Sequence, residues 1–338
     1  LPKGRIEEKH EVKVTARDAA GNVDSDTGMV EFDTYVNRLE STSGKVAGDD
    51  IVNAAEASQG LSFSGVVEAG STVMVKFEKT TREADVDAQG NWTVSFDASE
   101  IPTGTYESGV EITATDRAGN VATISDTFEV DTDIPDAPNT LGYWEDKAGG
   151  NINPDVSEVG IANTVESPDS VTLHQYVDGG DQAAQMRTTY DVVKNNEHVR
   201  YYFDDDKVSD GSHIVVTDTD AAGNSNSTLF AVDDVSSSKI DVTSGALDGF
   251  NIGAIDLDFA ENSEITLSAA DLEAMSDNDN ILVIHGGSDD RITLTEDATN
   301  AGSTVIDGRT YDVYEVGTNG GQLILDEDIL FNPNNPVM

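Results

Sequence analysis

Cysteine is absent from the 338 residues, which excludes disulfides and thiolate metal sites. Basic residues are scarce. Nineteen Lys and Arg stand against 65 Asp and Glu, a formal net charge of −46. Phosphate recognition needs a basic patch, so nucleic acid is excluded as a partner, and an anionic membrane surface with it. There is no apolar run long enough for a membrane span, and no membrane insertion is expected. The first ten residues lack the apolar core of a signal peptide, and the sequence reads as a cut through a longer chain. Aromatics make up only 6%, and high acidity with few aromatics can mean disorder. Against that, 37% of the residues are hydrophobic and alternate with polar ones in short runs, the pattern of half-buried strands. So many carboxylates on folded β-structure repel one another and need a counter-ion. An oxygen-rich, sulfur-free, basic-poor composition suits calcium.

At about 100–200 residues per domain, the length suggests two to four domains. One segment recurs three times. Val14-Thr-Ala-Arg-Asp18-Ala-Ala-Gly21-Asn22 is followed by Asp33 and Thr34. Ile112-Thr-Ala-Thr-Asp116-Arg-Ala-Gly119-Asn120 is followed by Asp131 and Thr132. Val216-Thr-Asp-Thr-Asp220-Ala-Ala-Gly223-Asn224 is followed by Asp233 and Asp234. The three loop aspartates are 98 and 104 residues apart, the period of a β-sandwich domain rather than of a short solenoid repeat. In each copy a strand enters a tight turn, where Gly and Asn tolerate positive φ, and a second strand leaves towards an acidic pair.

The spacing predicts an all-β chain of tandem Ig-like β-sandwiches in an extended rod, with a small β-rich module at the C-terminal end. Residues 1–34 read as the end of a truncated domain, 35–134 as a complete one and 135–234 as a divergent one. The linker from Asp131 through Pro135 to Pro138 stiffens the second joint. Residues 235–338 lack the repeated hairpin. There Ser268 and Asp271 predict a capped short helix, followed by strands at 281–284, 291–294, 310–314 and 322–325. Trp92 reads as a core residue, while Trp144 fits interdomain packing equally well.

At these residues the chain resembles the bacterial Ig-like domains of giant repeats-in-toxin adhesins exported by type I secretion. The resemblance rests on Gly48-Asp49-Asp50-Ile51-Val52-Asn53-Ala54-Ala55-Glu56-Ala57, on Trp92 after a Gly-Asn turn, on Asp116 to Asn120, and on Val130-Asp131-Thr132. Residues 264–314 are similar to modules near the C-terminal end of such adhesins. The resemblance implies a secreted or cell-surface bacterial protein for adhesion, in a biofilm or on another surface. Calcium would stiffen its domain joints. Its partners would be calcium, the neighbouring domains of the same long chain, and a host or microbial surface glycan or protein. His285-Gly286-Gly287-Ser288-Asp289-Asp290 starts like a nonapeptide calcium repeat but has Asp289 where a glycine belongs.

Calcium takes six to eight hard oxygen ligands. The expected ligand sets join a hairpin-loop aspartate, the acidic pair ending the next strand and a polar loop of the following domain. At the first joint these are Asp18, Asp33, Asp49 and Asp50, with Asn53 and Glu56. At the second they are Asp116, Asp131 and Asp133, with Asp136 or Asn151. At the third they are Asp220, Asp233 and Asp234. The competing reading is that Asp-x-Ala-Gly-Asn is only a good turn and the linker acids are solvated. An EF-hand loop starting at Asp85 fails, because its twelfth position is Phe96. Asp204-Asp205-Asp206 and Asp277-Asn278-Asp279 read as solvated turns.

No enzyme is expected. The five histidines are scattered, Ser236-Ser-Ser-Lys239 lies in a linker without partner motifs, and there is neither nucleophile elbow nor phosphate loop. Two alternatives to a spacer stay open. One is a carbohydrate- or peptide-binding surface using Tyr176, Tyr190, Tyr201 and Tyr202, with His174 and His198 nearby. The other is a surface-layer or matrix protein.

Overall fold

The computed structural model describes residues 5–145, 155–193 without 163 and 166, 198–203, 207–233 without 210, 238–276 without 244, and 280–331 without 319. The expected candidates Asn151 and Asp234, the acidic runs at 204–206 and 277–279, and Ser236 lie outside the described residues. The chain divides into two compact units, Leu1–Asp133 and Ile134–Met338.

In the first unit, β1 (Glu7–Arg17) and β2 (Val23–Asp33) form a two-stranded ribbon. Then come β3 (Leu39–Ser41), β4 (Ile51–Val52), α1 (Ala54–Gln59), β5 (Leu61–Val67) and β6 (Thr72–Phe77). β7 (Thr80–Glu83), β8 (Asp85–Val86), β9 (Asn91–Phe96), β10 (Thr105–Thr115) and β11 (Val121–Asp131) complete it. Sheet β4-β11-β10-β6-β7 faces sheet β3-β5-β9-β8. Alternation does the work here: in β9 Trp92, Val94 and Phe96 point inward, and in β10 Val110, Ile112 and Ala114 do. Phe63, Phe77, Phe96 and Phe128 meet at the centre, with ring centroids 5.2–6.3 Å apart. On β1 and β2, Val12, Val14 and Val30 hold the places that Val110, Ile112 and Phe128 hold one repeat later, but stand exposed.

Trp92 is fully buried, as its alternation predicts. It lies across Gly65 on β5. A Cβ at Gly65 would sit 2.1 Å from the Glu40 carbonyl oxygen and 2.5 Å from the Trp92 ring. Gly65→Ala is therefore expected to cost about 1–3 kcal/mol through overpacking. An unchanged urea midpoint for the first unit would contradict this.

The second unit opens with β12 (Thr140–Glu145), β13 (Val156–Ala162), β14 (Val171–Val177), β15 (Ala184–Gln185), β16 (Thr188–Val193) and β17 (His198–Phe203). β18 (Ser212–Thr219), β19 (Ser225–Phe230), β20 (Lys239–Ile240), β21 (Ile252–Asp256), β22 (Glu264–Leu267) and α2 (Ala269–Met275) follow. Last come β23 (Ile281–His285), β24 (Arg291–Leu294), β25 (Ala298–Ile306), β26 (Arg309–Val316), β27 (Gly321–Asp326) and β28 (Leu330–Phe331). Sheet β12-β13-β17-β16 covers one face of a nine-stranded sheet ordered β15-β14-β18-β19-β21-β23-β27-β26-β25. Sheet β20-β22-β24-β28 covers the other face. From β20 onward the chain passes back and forth between these two sheets, and each new strand pairs in parallel with the one a coil earlier. The result is a parallel roll, with the β25–β26 hairpin added at its edge.

β19 pairs in parallel with β21, so the nine-stranded sheet includes strands from both sides of residue 235. Ser212 to Asp218 of β18 are all buried, because both faces of the sheet are covered. The capped helix forms as expected: Ser268 accepts from the Asp271 N–H, and Asp271 accepts from the Ser268 N–H. The parallel pairing was not expected.

The tyrosines do not share one surface. Tyr176 is buried in the core on the roll side, and its hydroxyl donates to the Asp241 carbonyl. Tyr201 is buried in the other core. Tyr190 and Tyr202 remain at least partly exposed, and His174 packs edge-on against Phe250. Trp144 lies over Gly160 on the outer face of β13 and under the Arg200 guanidinium, 4.0 Å from its ring centroid.

Candidate metal centre

The repeated loop is built around its aspartate. Asp116 Oδ1 accepts from the N–H groups of Ala118 (2.9 Å) and Asn120 (2.8 Å), and Oδ2 accepts from the Asn120 amide (2.7 Å). Gly119 takes φ +89°, which a side chain would oppose. Asp18 and Asp220 are held the same way by Asn22 and Asn224. So is Asp87 by Asn91, in a fourth loop, Asp87-Ala-Gln-Gly90-Asn91. In all four loops the aspartate thus closes a tight turn, whatever else it binds. In Asp18 and Asp87 the Asn side chain is the main cause holding the carboxyl below its usual range. For Asp116, burial pushes the carboxyl up, and the Asn120 amide and the loop N–H groups outweigh it.

At the Asp116 loop three acids come together among the described residues. Asp33 at the end of β2, Glu68 in the turn after β5 and Asp116 each bring an oxygen within 4.8 Å of the other two. Asp116 is 5% exposed, and the other two are half-buried. The Asn120 amide also donates to Asp33 (3.1 Å), so it bridges the hairpin loop to the strand that precedes the domain. Asn37 in the connecting segment gives its N–H to Glu68 (3.0 Å) and its side-chain amide to Glu7 (2.7 Å). None of the described salt bridges reaches Asp33, Glu68 or Asp116.

This donor set fits calcium. Two oxygens on opposite sides of a calcium ion lie about 5 Å apart, against about 4 Å for magnesium. The ligands are hard carboxylates without imidazole, which disfavours zinc and copper. Asp116 keeps a free lone pair on Oδ2, because a carboxylate offers about four acceptor sites and three are used.

The structure regroups the joints expected from the sequence. Asp18 and Asp33 occupy opposite ends of the β1–β2 ribbon, and Asp116 and Asp131 opposite ends of β10–β11. Eleven residues at about 3.3 Å each separate such pairs by roughly 35 Å. The Asp116 loop meets the strand end of the preceding repeat, not of its own. Asp49, Asp50, Asn53 and Glu56 lie at the other end of the sandwich, where β4 pairs with β11 beside Glu129. They serve local structure there. Asn53 and Glu56 form the capping box of α1, Asp49 accepts from the Ile51 N–H, and Asp50 accepts from the Val46 N–H. The Thr105 hydroxyl lies within hydrogen-bond distance of both Asp131 (2.8 Å) and Asp133 (2.9 Å) and donates its one proton to one of them at a time. Asp136 is exposed, and Asp233 accepts from the Glu261 N–H. Glu68 and Asn120 were not among the expected ligands. A signal existed for Glu68: Val67-Glu68 with Val73 recurs as Val165-Glu166 with Val171.

Residues 36–132 match the family model described as bacterial Ig-like domain, and these residues form an Ig-like sandwich. Several solved structures are similar to the chain. One, from work on host cell surface retention of a bacterial ice-binding adhesin, shares 23% identity at a TM-score of 0.38, over 66% of this chain and 73% of that one. Another, a calcium-stabilised adhesin that helps an Antarctic bacterium bind ice, shares 21% at 0.36, over 95% and 73%. A third, the chicken CNTN1 FN1–FN3 domains, shares 11% at 0.29, over 65% and 77%. No curated protein matches the chain.

Proposed function

We propose that the chain is a calcium-stiffened extension segment of a bacterial surface adhesin. On this reading it is a secreted or cell-surface, non-enzymatic spacer that presents a binding region elsewhere to a surface, a cell or a biofilm. One observation carries the reading: Asp33, Glu68 and Asp116 converge from the end of one repeat and two loops of the next. A divalent ion there ties the β1–β2 ribbon to the sandwich that follows. Three carboxylates this close repel one another without it. The Ig-like match of residues 36–132 supports the same reading.

The test is small-angle scattering with Asp33→Asn and Glu68→Gln. The native chain should have a larger maximum dimension in millimolar calcium than in chelator. The double variant should have the same dimension in both. Calcium-insensitive dimensions in the native chain would overturn the proposal, because the ion would then hold nothing in place.

A further inference from the structure

A second set of acids lies in the roll. The turns that leave β21, β23 and β27 stack on one another, since these strands pair in parallel. They bring together Asp258, the Gly286 carbonyl and Asp326. Into this set reaches Arg309, the first residue of β26. Its guanidinium gives a forked pair of hydrogen bonds to Asp258 (2.6 and 3.2 Å) and one to the Gly286 carbonyl (3.0 Å). Its Nη2 also lies 2.8 Å from Asp326 Oδ2. That last contact is ionic and too oblique for a hydrogen bond, so Asp326 Oδ2 is a buried acceptor without an aligned donor. Asp326 is 3% exposed. Asp256 stands within electrostatic reach of Arg309 and is bound by the Thr140 hydroxyl. His285 faces the group as well, with Nδ1 2.7 Å from the Tyr311 hydroxyl.

Oxygens from three successive coils thus converge on one positive group, which arrives on a hairpin outside the repeating path of the roll. Carboxylates and a carbonyl are also the donors that a hard divalent ion takes. Arginine faces the same oxygens with a fixed fork and a charge it never loses.

We propose that Asp258, Asp326 and the Gly286 carbonyl form a cation site that Arg309 fills from within. The C-terminal roll therefore keeps its shape without a divalent ion and needs calcium only when Arg309 is removed. The proposal does not depend on the calcium site of the first unit.

The experiment uses the full chain carrying Asp33→Asn and Glu68→Gln, so that the first site is silent. Hydrogen exchange is read on peptides from 252–331, in chelator and in millimolar calcium. With Arg309 present, protection should be the same in both. Arg309→Met should lose protection at least tenfold in chelator and regain it in calcium, and terbium should then show emission sensitised by Tyr311. Arg309→Lys should fold and ignore calcium. Calcium-dependent protection with Arg309 present would overturn the proposal. So would an Arg309→Met loss that calcium does not repair, with no terbium emission. Should Arg309→Met fail to fold in chelator, refolding in calcium is the readout: recovery supports the site, and failure to recover refutes it.

Discussion

Chelation is expected to lower the melting midpoint of the first unit by on the order of 10 °C. Extracellular calcium modules bind at about 10⁻⁴ to 10⁻³ M. A free calcium concentration one hundred times the dissociation constant stabilises the folded form by about 2.7 kcal/mol. For a unit of this size each kcal/mol moves the midpoint by a few degrees. Glu68→Gln separates ion binding from folding, because Glu68 takes no part in the Asp116 loop. In calcium the variant should melt well below the native chain. In chelator it should melt at the same temperature or higher, because one of three crowded carboxylates has lost its charge. Asp116→Ala should be worse than either, since it removes three hydrogen bonds of the turn as well. If native and Glu68→Gln chains respond equally to calcium, the ion binds elsewhere.

Asp256→Asn is expected to stabilise the second unit at pH 8 and to do little near pH 4. Asp256 is 5% exposed, on the last position of β21. Burial pushes its carboxyl up to about 6 from an ordinary 3.8, and the Asp258 charge adds to this. The Thr140 hydroxyl, the Asp258 N–H and Arg309 offset part of the rise. A carboxyl raised on folding favours the fold fully below its unfolded value, and that contribution is lost as pH climbs through the folded value. Here the window runs from about pH 4 to pH 6, and the loss amounts to roughly 3 kcal/mol at 1.36 kcal/mol per pH unit. Asparagine keeps the shape and removes the charge. The native second unit should therefore lose stability across this window while Asp256→Asn stays nearly level. Parallel pH profiles for the two proteins would show that Asp256 is not the group responsible.

Much of the first unit was legible in its sequence. Alternation placed Trp92 inside, and Asp-x-Ala-Gly-Asn announced its turns, because both signals act within a few residues. The same holds for Ser268 and Asp271, whose capping box spans one helical turn. The ligand grouping was not legible. Asp18 and Asp33 are close in the repeat pattern, yet a straight eleven-residue ribbon sends them to opposite ends. Asp33 instead meets Asp116 and Glu68, residues far along the chain whose proximity depends on how two sheets stack. Parallel pairing escaped the sequence for a related reason. Strands such as Ile281–His285 and Arg291–Leu294 look alike whether their partners run parallel or antiparallel, since side-chain period is two in both. What the sequence by itself determined was where strands turn and which faces are apolar. Which charged groups meet, Asp33 with Asp116 or Asp258 with Arg309, was decided only by the tertiary fold, because charge acts through space and not along the chain.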